Sequence, residues 1–204
     1  MKGYLTTIGA QKLNIIIIGD STIDGSTYAD DVATYLNADS EYIINDVSTW
    51  GNNISQQKTA YSALSAAIKR DVDYVFVQIG LNDVRTNGET YSTPYVSYLD
   101  LITTIQAAGG PRTKIVGSCV LKIKGATDVG DDPLAWSKLT ALNADILAKN
   151  FTGMDLSTNV ASETLSDSNG YLLAMYELFD PQDHVHENNA GRQIIADSWE
   201  ILIT

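Results

Sequence analysis

Residues 13–22 read LNIIIIGDST, and this stretch decides the fold. No polar residue alternates with its isoleucines, and such a continuous β-branched run is typical of a strand buried on both faces of a parallel sheet. Gly19 ends the run, so Asp20, Ser21 and Thr22 follow at the carboxyl end of the predicted strand. Ligands of open parallel sheets bind beyond that end. The stretch therefore predicts a parallel α/β fold and marks the edge where functional side chains should lie.

The alternation of apolar strands and amphipathic helices continues along the chain. Ser55 is expected to cap one continuous helix over residues 55–69. Parallel strands need crossover connections, and right-handed crossovers place helices on both faces of the sheet. The sequence thus predicts a three-layer α/β/α sandwich with a central parallel sheet of about five strands, in a single domain over residues 1–204. Further strands are predicted over residues 42–47, 74–79, 113–120 and 154–156, and helices over residues 29–37, 55–69, 96–108, 133–149 and 190–202.

The composition excludes several classes of function. Asp and Glu number 25 against 13 Lys and Arg, so the net charge is −12 and nucleic acid or an anionic membrane is an unfavourable partner. No apolar run approaches the roughly 18 residues of a membrane-spanning helix. Cys119 is the single cysteine, so no internal disulfide can form, and two histidines cannot build a histidine-rich metal site. We expect neither a metal nor an organic cofactor.

Polar residues follow the predicted strands at the carboxyl edge of the sheet. Ser21 follows the first strand, Gly51 the second and Asn82 the third. Asp183 and His186 precede the last helix, and a tight loop there would let both side chains point the same way. A nucleophilic serine needs a base, the base needs a carboxylate partner, and a tetrahedral intermediate needs hydrogen-bond donors. The set therefore indicates acyl transfer.

Some neighbouring residues have competing interpretations. His184 could serve as the base in place of His186, but it directly follows Asp183 and is expected to lie at the rim. Asp20 and Asp83 are expected to brace their loops through backbone hydrogen bonds.

Other patterns near the predicted edge are less specific. Trp50 is placed next to Gly51, where it could bind substrate by stacking on a sugar. The acidic loop over residues 128–132 lacks the alternating ligands of a calcium-binding EF-hand, so a solvated loop is expected. Residues 19–26 lack the lysine of a phosphate-binding loop, and the Gly-x-Ser-x-Gly motif of ordinary α/β-hydrolases is absent.

Four short blocks carry a resemblance to a known family. GDST at residues 19–22, Gly51, GLND at residues 80–83 and DHVH at residues 183–186 resemble, in order and spacing, the sequence blocks of the SGNH hydrolases, also called the GDSL-like esterase family. The resemblance spans residues 14–202 and implies a flavodoxin-like three-layer sandwich.

The resemblance also implies a role for each matched residue. By position, Ser21 would be the nucleophile, His186 the general base and Asp183 the carboxylate that orients the base. The backbone amides of Ser21 and Gly51, with the side chain of Asn82, would form the oxyanion hole.

Residues and resemblance together predict a serine esterase that acts on a small-molecule or carbohydrate ester through an acyl-enzyme. A short-chain or O-acetyl ester is favoured by the GDST block and by the lack of a long apolar insertion. A lipase, lysophospholipase or thioesterase is the alternative within the family. A non-catalytic carbohydrate-binding module of a larger surface or viral protein is the alternative outside it.

The compartment is less well defined. Residues 1–7 are too polar for a signal peptide, so the chain is either not exported by that route or a mature or excised segment. An extracellular location, or a place within a larger surface or viral protein, is favoured over a cytoplasmic one, and a monomer is favoured among oligomeric states that the sequence leaves open.

Overall fold

The computed structural model describes residues 11–25, 30–38, 41–85, 92–121, 133–160, 177–179 and 182–203. Predictions about residues 29 and 128–132 lie outside these ranges. The strands are β1 Leu13–Gly19, β2 Tyr42–Asp46, β3 Tyr74–Gln78, β4 Lys114–Ser118, β5 Leu156–Thr158, β6 Glu177–Phe179 and β7 Gln182–Glu187. The helices are α1 Val32–Leu36, α2 Ile54–Ala63, α3 Ala66–Asp71, α4 Leu81–Arg85, α5 Ser92–Ala108, α6 Pro133–Leu147 and α7 Asn189–Glu200.

Five parallel strands form the central sheet in the order β2-β1-β3-β4-β5. β1 lies between β2 and β3, so Ile15 pairs with Ile44 on one side and with Tyr74 on the other. The chain leaves β1 toward one edge and later continues from β3 toward the other, which opens a crevice at the carboxyl ends of β1 and β3. The predicted parallel sheet with helices on both faces is confirmed. β6 and β7 form a separate antiparallel pair.

The isoleucine run of β1 packs into two hydrophobic cores, one on each face of the sheet. Ile16 and Ile18 belong to the core beneath α2, α5 and α6, whereas Ile15 and Ile17 belong to the core beneath α1 and α7. Successive side chains of a strand point to opposite faces. Because helices cover both faces, the strand needs no polar residue, which is why its sequence shows no alternation.

The predicted single helix over residues 55–69 is wrong, because α2 and α3 are separate helices. Leu64 adopts an extended backbone with ψ of 147°, and the Ser65 side chain caps α3 by accepting from the backbone N–H of Ile68. The cap of α2 is Asn53 rather than Ser55. Asn53 and Gln56 form a reciprocal capping box: the side chain of each accepts a hydrogen bond from the backbone N–H of the other.

Two further local predictions need correction. The DHVH block lies in strand β7 rather than in a tight loop. The fifth strand runs two residues later than predicted, over Leu156–Thr158.

Two properties concern the described part of the chain as a whole. No helix within it has both the length and the apolar character required to cross a membrane. Cys119 is a buried free thiol, and burial raises its pKa to about 12. Such a thiol is protonated and poorly nucleophilic at neutral pH.

Candidate active site

Ser21 and His186 meet at the carboxyl edge of the sheet. Ser21 follows β1, and His186 lies near the end of β7, just before α7. The Ser21 Oγ is 2.8 Å from the Nε2 of His186. The two residues are only 7% and 8% exposed, so water competes little for this hydrogen bond. A hydroxyl held this close to an imidazole nitrogen has the geometry required for proton transfer from serine to histidine.

The turn that carries Ser21 is held by its neighbour Asp20, as the sequence predicted. The Oδ1 atom of Asp20 accepts from the backbone N–H of Thr22 at 3.0 Å and from its hydroxyl at 2.9 Å. The carbonyl of Asp20 accepts from the N–H groups of Ile23 and Asp24. These bonds fix the backbone on both sides of the serine.

A buried hydrogen-bond chain reaches the same carboxylate from α7 by way of β4 and β3. The Trp199 indole donates to the Ser118 hydroxyl at 3.3 Å, and this hydroxyl donates to Oε1 of Gln78 at 2.9 Å. Nε2 of Gln78 lies 3.4 Å from the Thr22 hydroxyl, which donates to Asp20. An indole N–H can only donate and a carboxylate can only accept, so every bond in the chain points toward Asp20.

Asp20 is itself fully buried, and its Oδ2 atom has no hydrogen-bond partner among the residues that the structure describes. Burial raises the pKa of Asp20 from 3.8 to about 6, and the two hydrogen bonds from Thr22 offset part of this increase. The carboxyl beside the candidate nucleophile therefore titrates near neutral pH.

The second and third blocks face each other across the crevice. The backbone N–H of Ile54 donates to the Oδ2 of Asp83 at 3.2 Å, and through this backbone hydrogen bond Asp83 braces the neighbouring segment after Gly51 rather than its own loop. The side-chain Nδ2 of Asn82 donates to the carbonyl of Asn52 at 3.0 Å. This bond uses one of its two amide hydrogens, and no acceptor among the described residues takes the other, so it can donate to a ligand. Gly51 has a φ of +73°, the left-handed region that favours glycine.

Asp183 is the predicted carboxylate partner of the candidate base, and His184 is its neighbour in sequence. The backbone of Asp183 and of His184 lies in β7, but their side chains lie outside what the structure describes. The expected tight loop is wrong, because both residues belong to an extended strand. The contact between Asp183 and His186 therefore stays a prediction, as does the rim position of His184.

Trp50 lies closer to the candidate base than the sequence suggested. Its indole stacks on the His186 ring, with centroids 4.4 Å apart and ring planes 29° apart. The indole N–H donates to the carbonyls of Asp24 and Gly25 at 3.3 and 3.0 Å. Its backbone N–H donates to the Oδ2 of Asp24 at 2.9 Å. The sequence placed Trp50 beside Gly51 but gave no sign of this contact.

The sequence reasoning missed Arg192, which joins the two halves of the site. Its guanidinium donates to the carbonyl oxygens of Ser21 at 3.1 Å, Asp24 at 2.7 Å, Asp30 at 2.9 Å and Glu187 at 3.2 Å. Arg192 is fully buried, and burial lowers its pKa. An arginine rarely lies fully buried unless its charge and donors have partners.

A sequence signal for this residue did exist. Arg192 lies on the same helical stripe as Ile195, Ala196 and Trp199, all of which are buried. A cation on an apolar stripe at spacings of three, four and seven residues indicates a buried partner set. Within the described residues no group of three or more His, Cys, Asp or Glu side chains is arranged to hold a metal ion.

The chain is similar to known proteins in its three-dimensional structure rather than in its sequence. No family model and no curated protein sequence matches the chain. A GDSL-like lipase from Bacteroides thetaiotaomicron superposes with a TM-score of 0.72 at 18% identity, over 93% of this chain and 87% of the other. A lipase/acylhydrolase from Enterococcus faecalis gives a TM-score of 0.70 at 14% identity, over 94% and 95%. A variant of an acetyl-xylooligosaccharide esterase from Geobacillus gives 0.63 at 18% identity, over 94% of both chains. The chain therefore has the fold of these proteins.

Proposed function

We propose that this chain is a serine esterase of the SGNH hydrolase type, which hydrolyses carboxylic esters through an acyl-enzyme. The observation that carries the proposal is the 2.8 Å contact between the Ser21 Oγ and the His186 Nε2 at the switch point of the sheet. The fold shared with lipases and esterases supports it. The four sequence blocks, which occur in the order and spacing of the SGNH hydrolases, support it as well.

The mechanism begins with attack of the Ser21 Oγ on the ester carbonyl carbon. The proton of Ser21 moves to the Nε2 of His186, which requires the tautomer with its proton on Nδ1. Asp183 accepts from that Nδ1–H and stabilises the imidazolium. The oxyanion is bound by the backbone amides of Ser21 and Gly51 and by the free amide hydrogen of Asn82.

Collapse of the tetrahedral intermediate completes acylation. The C–O bond to the alcohol breaks, and His186 gives its proton to the leaving oxygen. A water molecule then attacks the acyl-enzyme, with His186 again as base, and releases the carboxylic acid and Ser21. The residues of the site supply both proton transfers and the oxyanion donors, so the scheme needs no further group.

For the substrate we propose a short acyl ester, such as an acetyl group on a carbohydrate. The fold neighbour described as an acetyl-xylooligosaccharide esterase supports this class. Others of the same fold are described as lipases, so a long-chain ester is the alternative. The GDST block and the lack of a long apolar insertion favour the short chain.

Hydrolysis of p-nitrophenyl esters of increasing chain length tests the function and the substrate class together. We expect turnover to be highest for the acetyl and butyryl esters and to disappear in Ser21→Ala. A maximum at long chains would contradict the short-acyl proposal but not the proposal that the chain is an esterase. Folded protein without turnover of any ester in the series would favour the binding-module alternative.

A further inference from the structure

The candidate nucleophile and base belong to different parts of the fold. Ser21 follows a strand of the central sheet, whereas His186 lies on the separate pair β6–β7. A hydrogen bond between two such elements is productive only if something holds the imidazole over the serine. The described structure contains an aromatic ring in a position to do so.

Trp50 is anchored to the segment that carries the serine. Three of its hydrogen bonds end on this segment: two from the indole N–H, to the carbonyls of Asp24 and Gly25, and one from its backbone N–H, to the carboxylate of Asp24. These bonds fix both the backbone and the ring plane of the tryptophan. The position of the indole is therefore set by the Ser21 side of the site.

The fixed indole in turn covers one face of the His186 ring. With centroids 4.4 Å apart, the indole blocks rotation of the imidazole toward that side. An imidazolium formed during the reaction would lie over the aromatic face, within the roughly 6 Å at which a cation is attracted by the ring. The blocked rotation holds the imidazole in either protonation state. The attraction to the aromatic face acts only when His186 is protonated.

We propose that Trp50 is a positioning residue for His186, which transfers the geometry of the serine loop to the base and stabilises the protonated imidazole. This inference rests on the proposed esterase function. It differs from the role suggested by the sequence, in which the same ring binds a sugar, and 43% exposure of Trp50 is compatible with either role. The two roles predict different kinetics, because a substrate platform changes KM and a positioned base changes kcat.

The kinetic test uses p-nitrophenyl acetate, which carries no sugar. For Trp50→Leu we expect kcat to fall about tenfold, the effect of one partly desolvated cation–π contact, and KM to stay within about twofold. Trp50→Phe keeps an aromatic face and should recover most of the loss. An unchanged kcat in Trp50→Leu, whether or not KM changes, would overturn the proposal, and a sugar platform predicts this result because the substrate has no sugar to bind.

Tyr42→Leu is the matched control. Tyr42 is also an aromatic residue, its hydroxyl donates to Glu200 at 3.3 Å, and it lies at the amino end of β2, away from the candidate site. We expect its kinetics to equal those of the unchanged protein. An equal loss of kcat in Tyr42→Leu would mean that Trp50→Leu reports general destabilisation, and the proposal would fail.

A spectroscopic readout separates this inference from the esterase proposal. The chain has two histidines, so its imidazole region in an NMR spectrum holds two sets of ring signals, which His184→Gln assigns. The ring current of a stacked indole should displace the His186 signals, and Trp50→Leu should remove that displacement while leaving those of His184. Unchanged His186 signals would overturn the inference even in an active enzyme. Full activity in Ser21→Ala would overturn the function and leave the stacking result standing.

Discussion

At the scale of single residues, the site combines groups whose positions the sequence predicts with groups that only the packing brings in. Ser21, Gly51 and Asn82 follow strand ends, and a strand end can be read from an apolar run. The stack of Trp50 on His186 depends on where the antiparallel pair β6–β7 packs, and this pair is more than 120 residues away from Trp50 in sequence. No local pattern carries that information, so this contact could not be predicted.

Asn82→Ala tests the oxyanion role of the side-chain amide. Removing one such donor typically costs about 3 kcal/mol of transition-state stabilisation, so we expect kcat to fall by roughly two orders of magnitude with little change in KM. Steady-state kinetics with p-nitrophenyl acetate measure both constants. The control is Asn37→Ala, since Asn37 is also half-buried and its side chain also bonds to a backbone group, the N–H of Tyr42. Unchanged turnover in Asn82→Ala would refute the oxyanion role.

Asp20→Asn tests whether the buried carboxyl beside the nucleophile titrates as burial requires. The folded protein keeps this proton up to about pH 6, whereas a carboxyl with the ordinary pKa of 3.8, as in the unfolded chain, releases it at lower pH. The folded state therefore binds more protons between these values, and stability decreases as pH rises through that window. The shift from 3.8 to about 6 corresponds to a cost on the order of 3 kcal/mol above pH 6.

The asparagine variant carries no ionisable group at this position, so its stability does not decrease with the titration of Asp20. We expect its free energy of unfolding, relative to the unchanged protein, to increase between about pH 4 and about pH 7. Urea unfolding at a series of pH values measures the difference. A difference that stays flat across this range would show that Asp20 is not a buried carboxyl with a raised pKa.

At the scale of elements, the buried strands were predictable and the short irregular elements were not. β1 contains the apolar run 15–18, which Gly19 ends, and β3 contains the apolar run 74–77, which follows Asp73; such runs leave little room for another interpretation. The break between α2 and α3 escaped prediction because Leu64 and Ser65 both suit a helix interior on composition alone. The hydrogen bond from the Ile68 N–H to the Ser65 side chain sets the start of α3. In the sequence alone, a serine that caps a helix looks the same as a serine on the surface of one.

Arg192 links α7 to the loop after β1, and its replacement should affect both stability and catalysis. Arg192→Met would leave up to four carbonyl oxygens without their donor, so we expect a loss of roughly 3 kcal/mol or more in the free energy of unfolding. Urea unfolding measures this loss. Arg70→Met, at an exposed position of α3, is the control and should change stability by less than about 0.5 kcal/mol. Equal effects in the two variants would contradict the proposed link.

At the scale of the whole molecule, the net charge of −12 acts on every ligand that approaches. An anionic ester is repelled, and added salt screens the repulsion. We expect kcat/KM for an ester with a free carboxylate, such as mono-p-nitrophenyl succinate, to increase with salt relative to neutral p-nitrophenyl butyrate. A salt-independent ratio would show that the local field of the site does not follow the net charge.

The proposed esterase activity requires that Ser21 be a nucleophile activated by His186. A fluorophosphonate probe tests it, because attack by the serine oxygen displaces fluoride and leaves a stable phosphonyl ester. We predict a single adduct on the peptide that contains Ser21, absent in Ser21→Ala, strongly slowed in His186→Ala and unaffected in His184→Ala. Folded protein that takes up no probe, or an adduct that persists in Ser21→Ala, would contradict the claim.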